Sequence, residues 1–209
     1  MVVRRLPGVP LIDIPSERRV AAETPVAAAV GTLLGELHTW EAEAFADVAS
    51  IDEYSPDDWR DETAEVVRAL TPVLSTEQRE DTRHFLSRPA PRPAAHRVLS
   101  HNDLGIEHVL VAESDTRVTG VIDWGDAAIT DAAYDFGLLL RDMGPGALET
   151  AFATYARRVS PQNDIRERAG FYAACALLED LAFGHANDRP EYIAKSLAGW
   201  GWTFRAATG

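Results

Sequence analysis

Two acidic loops joined through a short hairpin constrain this chain more than any other feature. Leu99–Leu110 reads LSHNDLGIEHVL, and Val121–Asp126 reads VIDWGD. Asp103 lies in a polar loop directly after a short apolar run, and Asp123 ends a second apolar run twenty residues later. Arg97–Ser100, Val109–Val111 and Val118–Ile122 have the short β-branched character of strands, with Glu113-Ser114-Asp115 turning between the last two. The pattern therefore predicts two carboxylates carried to strand ends with a β-hairpin between them.

Around this β insertion the hydrophobic period is helical. Val26, Val30, Leu33, Leu34 and Leu37 recur at helix spacing after Thr24-Pro25, which is expected to open that helix. Ser55-Pro56-Asp57-Asp58 combines a cap residue, a proline at the first helical position and an acid at the third. Ser75 with Gln78 predicts a second capping box. Residues 88–95, RPAPRPAA, form an extended connector too short to separate independent domains. Downstream, AAYDFGLLLRDM and ALETAFATYARRV read as helices, followed by a long one from about Pro161 to His185 capped by Ser160. In it Phe171, Cys175, Leu178 and Ala182 share a face, flanked by Leu177 and Leu181, so both sides are expected to pack. A last helix from Pro190 to about Phe204 offers Trp200 and Trp202 as core anchors. The expected class is α+β, mostly helical, with one small central β insertion. A single domain over 1–209 divides into segments 1–15, 20–87 (helical), 97–126 (the acidic loops) and 131–205 (helical).

Composition narrows the function classes. A net charge of −13 argues against nucleic acid or an anionic membrane as partner and suits a cationic small molecule. No apolar run approaches the roughly 20 residues of a membrane span, and the N-terminus has no secretory pattern, so a cytoplasmic protein is expected. Cys175, the single cysteine, lies in AACALL and reads as a buried structural thiol. Acidic residues 52, 53, 57, 58, 61, 62 and 65 lack the alternating ligands and central glycine of a calcium loop, and read as helix-start and solvent-facing charges.

Two carboxylates so placed suit a site that holds a metal-bound phosphate beside an activated hydroxyl, the requirement of phosphoryl transfer. At this point the chain resembles the C-terminal lobe of the aminoglycoside phosphotransferase family, within the protein-kinase-like superfamily. LLGELHTW is similar to that family's helix ending in Leu-His, SHNDLGIEHVLV to its catalytic loop and following strand, and TGVIDWGDAAITDAAYDFGLLL to its metal-binding strand and next helix. The resemblance implies Asp103 as catalytic base and Asp123 as a magnesium ligand, with ATP or another nucleoside triphosphate as donor and a hydroxyl of a small molecule as acceptor. An aminoglycoside or other amino alcohol is the implied acceptor class. Asp135 resembles a position that buttresses the catalytic loop, Asp131 can cap the helix that begins there, and Asp126 reads as a loop hydrogen-bonding residue. His101 is expected to pack beneath the loop.

His108 departs from the family pattern, which has asparagine five residues after the base. Imidazole offers nitrogen and suits manganese better than magnesium, so His108 is a candidate metal ligand, with water-mediated or purely loop-shaping roles open. Glu179, Asp180, Asp188 and Glu191 read as solvated helix charges. The one lysine, Lys195, lies far beyond the catalytic loop in sequence. No glycine loop, strand lysine or helix glutamate of a nucleotide-clamping lobe can be placed, and VVRRLPGVPL resembles the family's hinge. The expectation is a C-lobe beginning at the hinge, with the N-lobe absent. Two other readings stay open: a catalytically inactive kinase-like remnant acting as an interaction module, and a metal-dependent phosphohydrolase using His101, Asp103, His108 and Asp123.

Overall fold

The computed structural model describes residues 5–205, so the first four residues of the hinge-like segment lie outside the described part. In chain order the elements are β1 (Val9–Pro10), α1 (Ser16–Ala21), α2 (Glu23–Leu37), β2 (Ser50–Ile51), α3 (Pro56–Leu70), α4 (Thr76–Ser87), β3 (Val98–Ser100), β4 (Val109–Val111), β5 (Val118–Val121), β6 (Ala128–Thr130), α5 (Ala133–Tyr155), α6 (Ile165–Ala186) and α7 (Pro190–Phe204).

The capping predictions for α3 and α4 hold. Ser55 and Asp58, and likewise Ser75 and Gln78, each satisfy two otherwise unpaired backbone N–H groups at a helix start. Two other helix starts differ from expectation. Thr24-Pro25 falls inside the first turn of α2, because α1 runs almost directly into it through Ala22. Ser160-Pro161 is bypassed as well: α6 begins at Ile165 behind Asp164, which takes a left-handed conformation (φ 61°). An upstream turn at Ala22 starts α2, and a turn downstream of Ser160, at Asp164, starts α6.

The three anticipated strands exist, but they divide between two sheets. The β4–β5 hairpin pairs with β1 in the order β1-β4-β5, whereas β3 lies in a second sheet of order β2-β6-β3. Leu99 faces Ile129 in the second sheet, and Val109 faces Val121 in the first. Strands β1, β2 and β6 carry only two or three residues each, too few to show a period of two. Thus segment 20–87 is not wholly helical: Ser50–Ile51 extends to pair in parallel with β6.

Helix α5 lies at the centre of the helical layer, against α2, α6 and α7. It bends at Gly144 (φ 86°, ψ 179°), where Pro145 follows and the Trp202 ring occupies the space beside the missing side chain. That bend separates the two helical segments read from the sequence. Phe136 stacks on Phe152 at 4.3 Å and meets Tyr155 edge-on, forming the floor between α2 and α6. Helix α6 is apolar around most of its circumference, and Phe171, Cys175, Leu177, Leu178 and Leu181 are all buried. Burial pushes the Cys175 thiol up to about 12, as befits a packing residue. Trp200 is buried and donates to Asp81, while the partly buried Trp202 donates to the Leu140 carbonyl across the bend. Among the described residues, no helix is long and apolar enough to cross a membrane.

Candidate active site

The loop after β3 and the turn after β5 meet at His108. Its Nδ1 lies 2.7 Å from the Asp103 carbonyl and 3.3 Å from Asp103 Oδ2, while Nε2 lies 3.7 Å from Asp123 Oδ2. A carbonyl only accepts, so Nδ1 carries the proton of that 2.7 Å bond. In the neutral ring Nε2 then presents a lone pair toward a carboxylate oxygen. Two acceptors converging without a proton between them form a natural seat for a cation. The chemistry of this donor set fits a divalent ion held by one carboxylate and one imidazole, with phosphate oxygens completing its shell. No group of three or more such side chains is assembled among the described residues. Asp126 lies in the exposed 3₁₀ turn Trp124–Asp126.

Backbone geometry aims both carboxylates. Asn102, immediately before Asp103, and Asp123 itself each have φ 64°, in the left-handed region. Asparagine and aspartate tolerate that region better than other non-glycine residues, at a cost of about 1 kcal/mol or more each. The Asp123 side chain remains 63% exposed and that of Asp103 41%. Burial pushes the Asp103 carboxyl up to about 6.

Behind the loop the support is extensive. Asp135, fully buried at the first turn of α5, accepts from the His101 and Asn102 backbone N–H groups at 2.9 Å each. Burial pushes its own carboxyl up to about 6, an effect these bonds moderate. His101 lies beneath the loop with no exposed surface, its Nε2 2.9 Å from the Ile122 carbonyl and its Nδ1 accepting from the Asp103 N–H at 3.3 Å. Those two bonds make Nε2 the protonated nitrogen of a neutral ring, in keeping with burial, which lowers the His101 pKa. Trp124 covers the ring at 4.6 Å. One imidazole thereby links the Asp103 loop to the end of β5. Asp131 accepts from the Ala133 N–H at 2.9 Å at the start of α5 and also pairs with the buried Arg168 of α6 at 2.6 Å.

Several residues of this surround were not singled out by sequence. Ile106 N–H donates to Asp142 Oδ2 at 3.0 Å. Glu107, two residues further round the site than Gly105, turns inward to Lys195 of α7. Lys195 is thus remote in sequence and adjacent in space. Asp180 also departs from the solvated reading, because it pairs with both Arg141 and Lys195. Glu179 is largely buried, and burial pushes it up to about 7, with Glu62 and Asp180 adding to the rise. The signal for this group was the placement of lone charges within apolar stretches, LLLRDM and ALLEDL, together with a single lysine on an otherwise apolar helix.

The sequence profile of the phosphotransferase enzyme family (APH) matches residues 1–172. The chain belongs to this family. It is 27% identical over 202 residues to viomycin phosphotransferase of Streptomyces vinaceus, covering 96% of this chain and 69% of that protein. The macrolide 2'-phosphotransferase MphH of Brachybacterium faecium superposes with a TM-score of 0.57 at 25% identity, over 93% of this chain and 67% of that one. An aminoglycoside 2'-phosphotransferase-IIIa, determined as its GDP complex, shares the fold with a TM-score of 0.65 at 21% identity, over 98% of this chain and 70% of that one. Against a type I macrolide 2'-phosphotransferase the chain spans 57% of the relative's length. The mostly helical α+β architecture is that of these phosphotransferases. Asp103, His108, Asp123 and Asp135 lie within the family match, whereas Lys195 lies beyond it.

Proposed function

We propose that residues 1–209 form one domain of a nucleotide-dependent phosphotransferase that moves a γ-phosphoryl group to a hydroxyl of a small molecule. The observation that carries this reading is the meeting of Asp103, His108 and Asp123 within 3.7 Å contacts in a chain of the phosphotransferase family. Asp103 orients the acceptor hydroxyl and takes its proton as the hydroxyl oxygen forms its bond to phosphorus and the bond to the nucleoside diphosphate breaks. Its partial burial favours a carboxylate poised near neutral pH. Asp123 and the Nε2 of His108 would hold a divalent ion, magnesium or manganese. When bound, that ion offsets the phosphate charge. Asp135 and His101 keep the base loop in place.

ATP, or another nucleoside triphosphate, is the donor in this reading. A cationic acceptor, such as an aminoglycoside or another amino alcohol, is favoured by the net charge of −13 and by the neighbouring carboxyls of Glu62 and Glu179. The test is acceptor-dependent release of nucleoside diphosphate with magnesium or manganese, over a panel of hydroxyl-bearing aminoglycosides, macrolides and viomycin. Phosphorylated acceptor that disappears in Asp103→Asn supports the reading. Diphosphate release that survives Asp103→Asn, or phosphate release from a simple ester without nucleotide, overturns it.

A further inference from the structure

We propose that Lys195, on the last helix, is a positioning residue that locks the far side of the catalytic loop through Glu107. The proposal rests on the reading that Asp103 and His108 act in that loop, and it concerns a residue outside the span that the family profile matches.

The loop between Asp103 and His108 lies outside both sheets, so its shape has to be set by other contacts. One is local: the His108 N–H donates to the Gly105 carbonyl at 3.0 Å. Ile106 is held through both of its backbone groups, its N–H donating to Asp142 Oδ2 at 3.0 Å and its carbonyl accepting from the Ile12 N–H at 3.2 Å. The buried side chains of Leu104 and Ile106 anchor the segment in the core, and the remaining polar grip is ionic. Glu107 folds inward until its side chain is 13% exposed, and its two oxygens accept from Lys195 Nζ at 2.8 and 2.9 Å. The same ammonium contacts Asp180 at 2.9 Å and lies 4.7 Å from the centre of the Tyr192 ring. Arg141 completes the set, forking onto Asp142 at 2.7 and 2.8 Å and reaching Asp180 at 2.8 Å.

Charge counting shows what Lys195 does there. Three carboxylates, Glu107, Asp142 and Asp180, face two cations, Arg141 and Lys195. Without the lysine, Arg141 alone would face all three, and it forks onto Asp142 and reaches Asp180 at 2.8 Å but approaches Glu107 only to 3.9 Å, so Glu107 is the one left weakly held. Its release would free the peptide segment between the base and His108. Gly105 makes the inward fold possible: a Cβ there would stand 2.5 Å from Glu107 Oε2, a carboxylate that Lys195 holds in place. Helix α7 does not need this cluster in order to dock, because Trp200, Trp202 and Ile193 already pack it on the helical layer. Buried ion pairs add little net stability compared with apolar packing. Their better use is to select one arrangement, here that of the loop.

The test is amide hydrogen exchange of the whole chain, in parallel with turnover. In Lys195→Met, exchange at Ile106, Glu107 and His108 should rise about tenfold or more while the α2 and α5 amides keep their native rates. Lys195→Arg should return the loop amides close to native rates. Gly105→Ala, with every charge intact, should loosen the same amides by pushing Glu107 off the ammonium. In turnover, Lys195→Met should lower kcat with KM little changed. The proposal is overturned by native loop exchange in folded Lys195→Met, or by loosening of α6 and α7 to the same degree as the loop. If Lys195→Met fails to fold, Gly105→Ala decides, and native loop exchange in that variant overturns the proposal. Loop loosening in a chain that transfers no phosphoryl group would sink the proposed reaction and leave the positioning role standing.

Discussion

The two acidic loops are held by opposite means. The Asp103 loop, residues 101–108, is tied from behind by Asp135, Asp142, Lys195 and the His101 ring, all buried or nearly so. The turn that carries Asp123 is tied by the imidazole bond at the Ile122 carbonyl, by the Ile122 N–H donating to the His108 carbonyl at 3.0 Å and by the Trp124 indole donating to the Val121 carbonyl at 3.2 Å, with the Asp123 carboxylate itself left largely in solvent. The difference matches the proposed tasks. A base has to be oriented against a particular proton, and that calls for a rigid support. A metal ligand needs access to an ion that arrives with the nucleotide, and backbone conformation alone can aim it.

The comparison breaks most sharply at Asp103. Asp103→Asn should lower turnover by about 10²–10⁴-fold, the range of general base catalysis. Its thermal midpoint should stay near native, because the side chain is 41% exposed. A large fall in stability would mean that Asp103 helps hold the loop rather than only being held by it. Asp135→Ala comes next. Two buried backbone N–H groups lose their acceptor, at a cost of roughly 2–4 kcal/mol in urea unfolding together with lost turnover.

His38 provides a control away from both loops. It is buried between α2 and α5, its Nδ1 3.1 Å from the Tyr155 hydroxyl, and burial lowers its pKa from 6.5 to about 4. Between those values the unfolded chain binds the proton more readily, so stability is complete above pH 6.5 and falls as pH drops toward 4. The shift amounts to about 3 kcal/mol at most, and His38→Phe should flatten that part of the native stability–pH curve by a similar amount. A variant curve as steep as the native one would assign the acid sensitivity to other groups.

The smallest expected change in stability is also the most telling about the second loop. Asp123→Gly relieves a left-handed residue and should stabilise the fold by about 1 kcal/mol while abolishing metal-dependent turnover. Loss of stability in that variant would show that the turn is anchored after all, and the contrast between the two loops would close.

Much of this organisation is legible in the residues. Asp103 and Asp123 follow short apolar strands, and the order of motifs between Leu33 and Leu140 resembles a single family. Capping boxes at Ser55 and Ser75 are visible because each needs only four consecutive residues. Asp135 was legible from its place in the motif, although its two hydrogen bonds were not. The two-residue strand Ser50–Ile51 was hidden, since nothing in so short a piece distinguishes it from a loop until β6 lies alongside. Lys195 read as a remote helix charge for a related reason: its partner Glu107 is eighty-eight positions away.

The sequence by itself determined the lineage, the two acidic loops, most of the helices and the unusual imidazole at His108. Those features depend on local chemistry: caps, periods of 3.6 and 2, and residue types at short spacing. Only the tertiary structure decided that β3 and β4 part into different sheets, that His101 links the Asp103 loop to the end of β5, and that the last helix reaches back to grip Glu107. These are long-range matters. Each becomes favourable only when chain segments far apart in sequence exclude water together, which gives a buried charge no choice but to find the partner that packing has placed beside it.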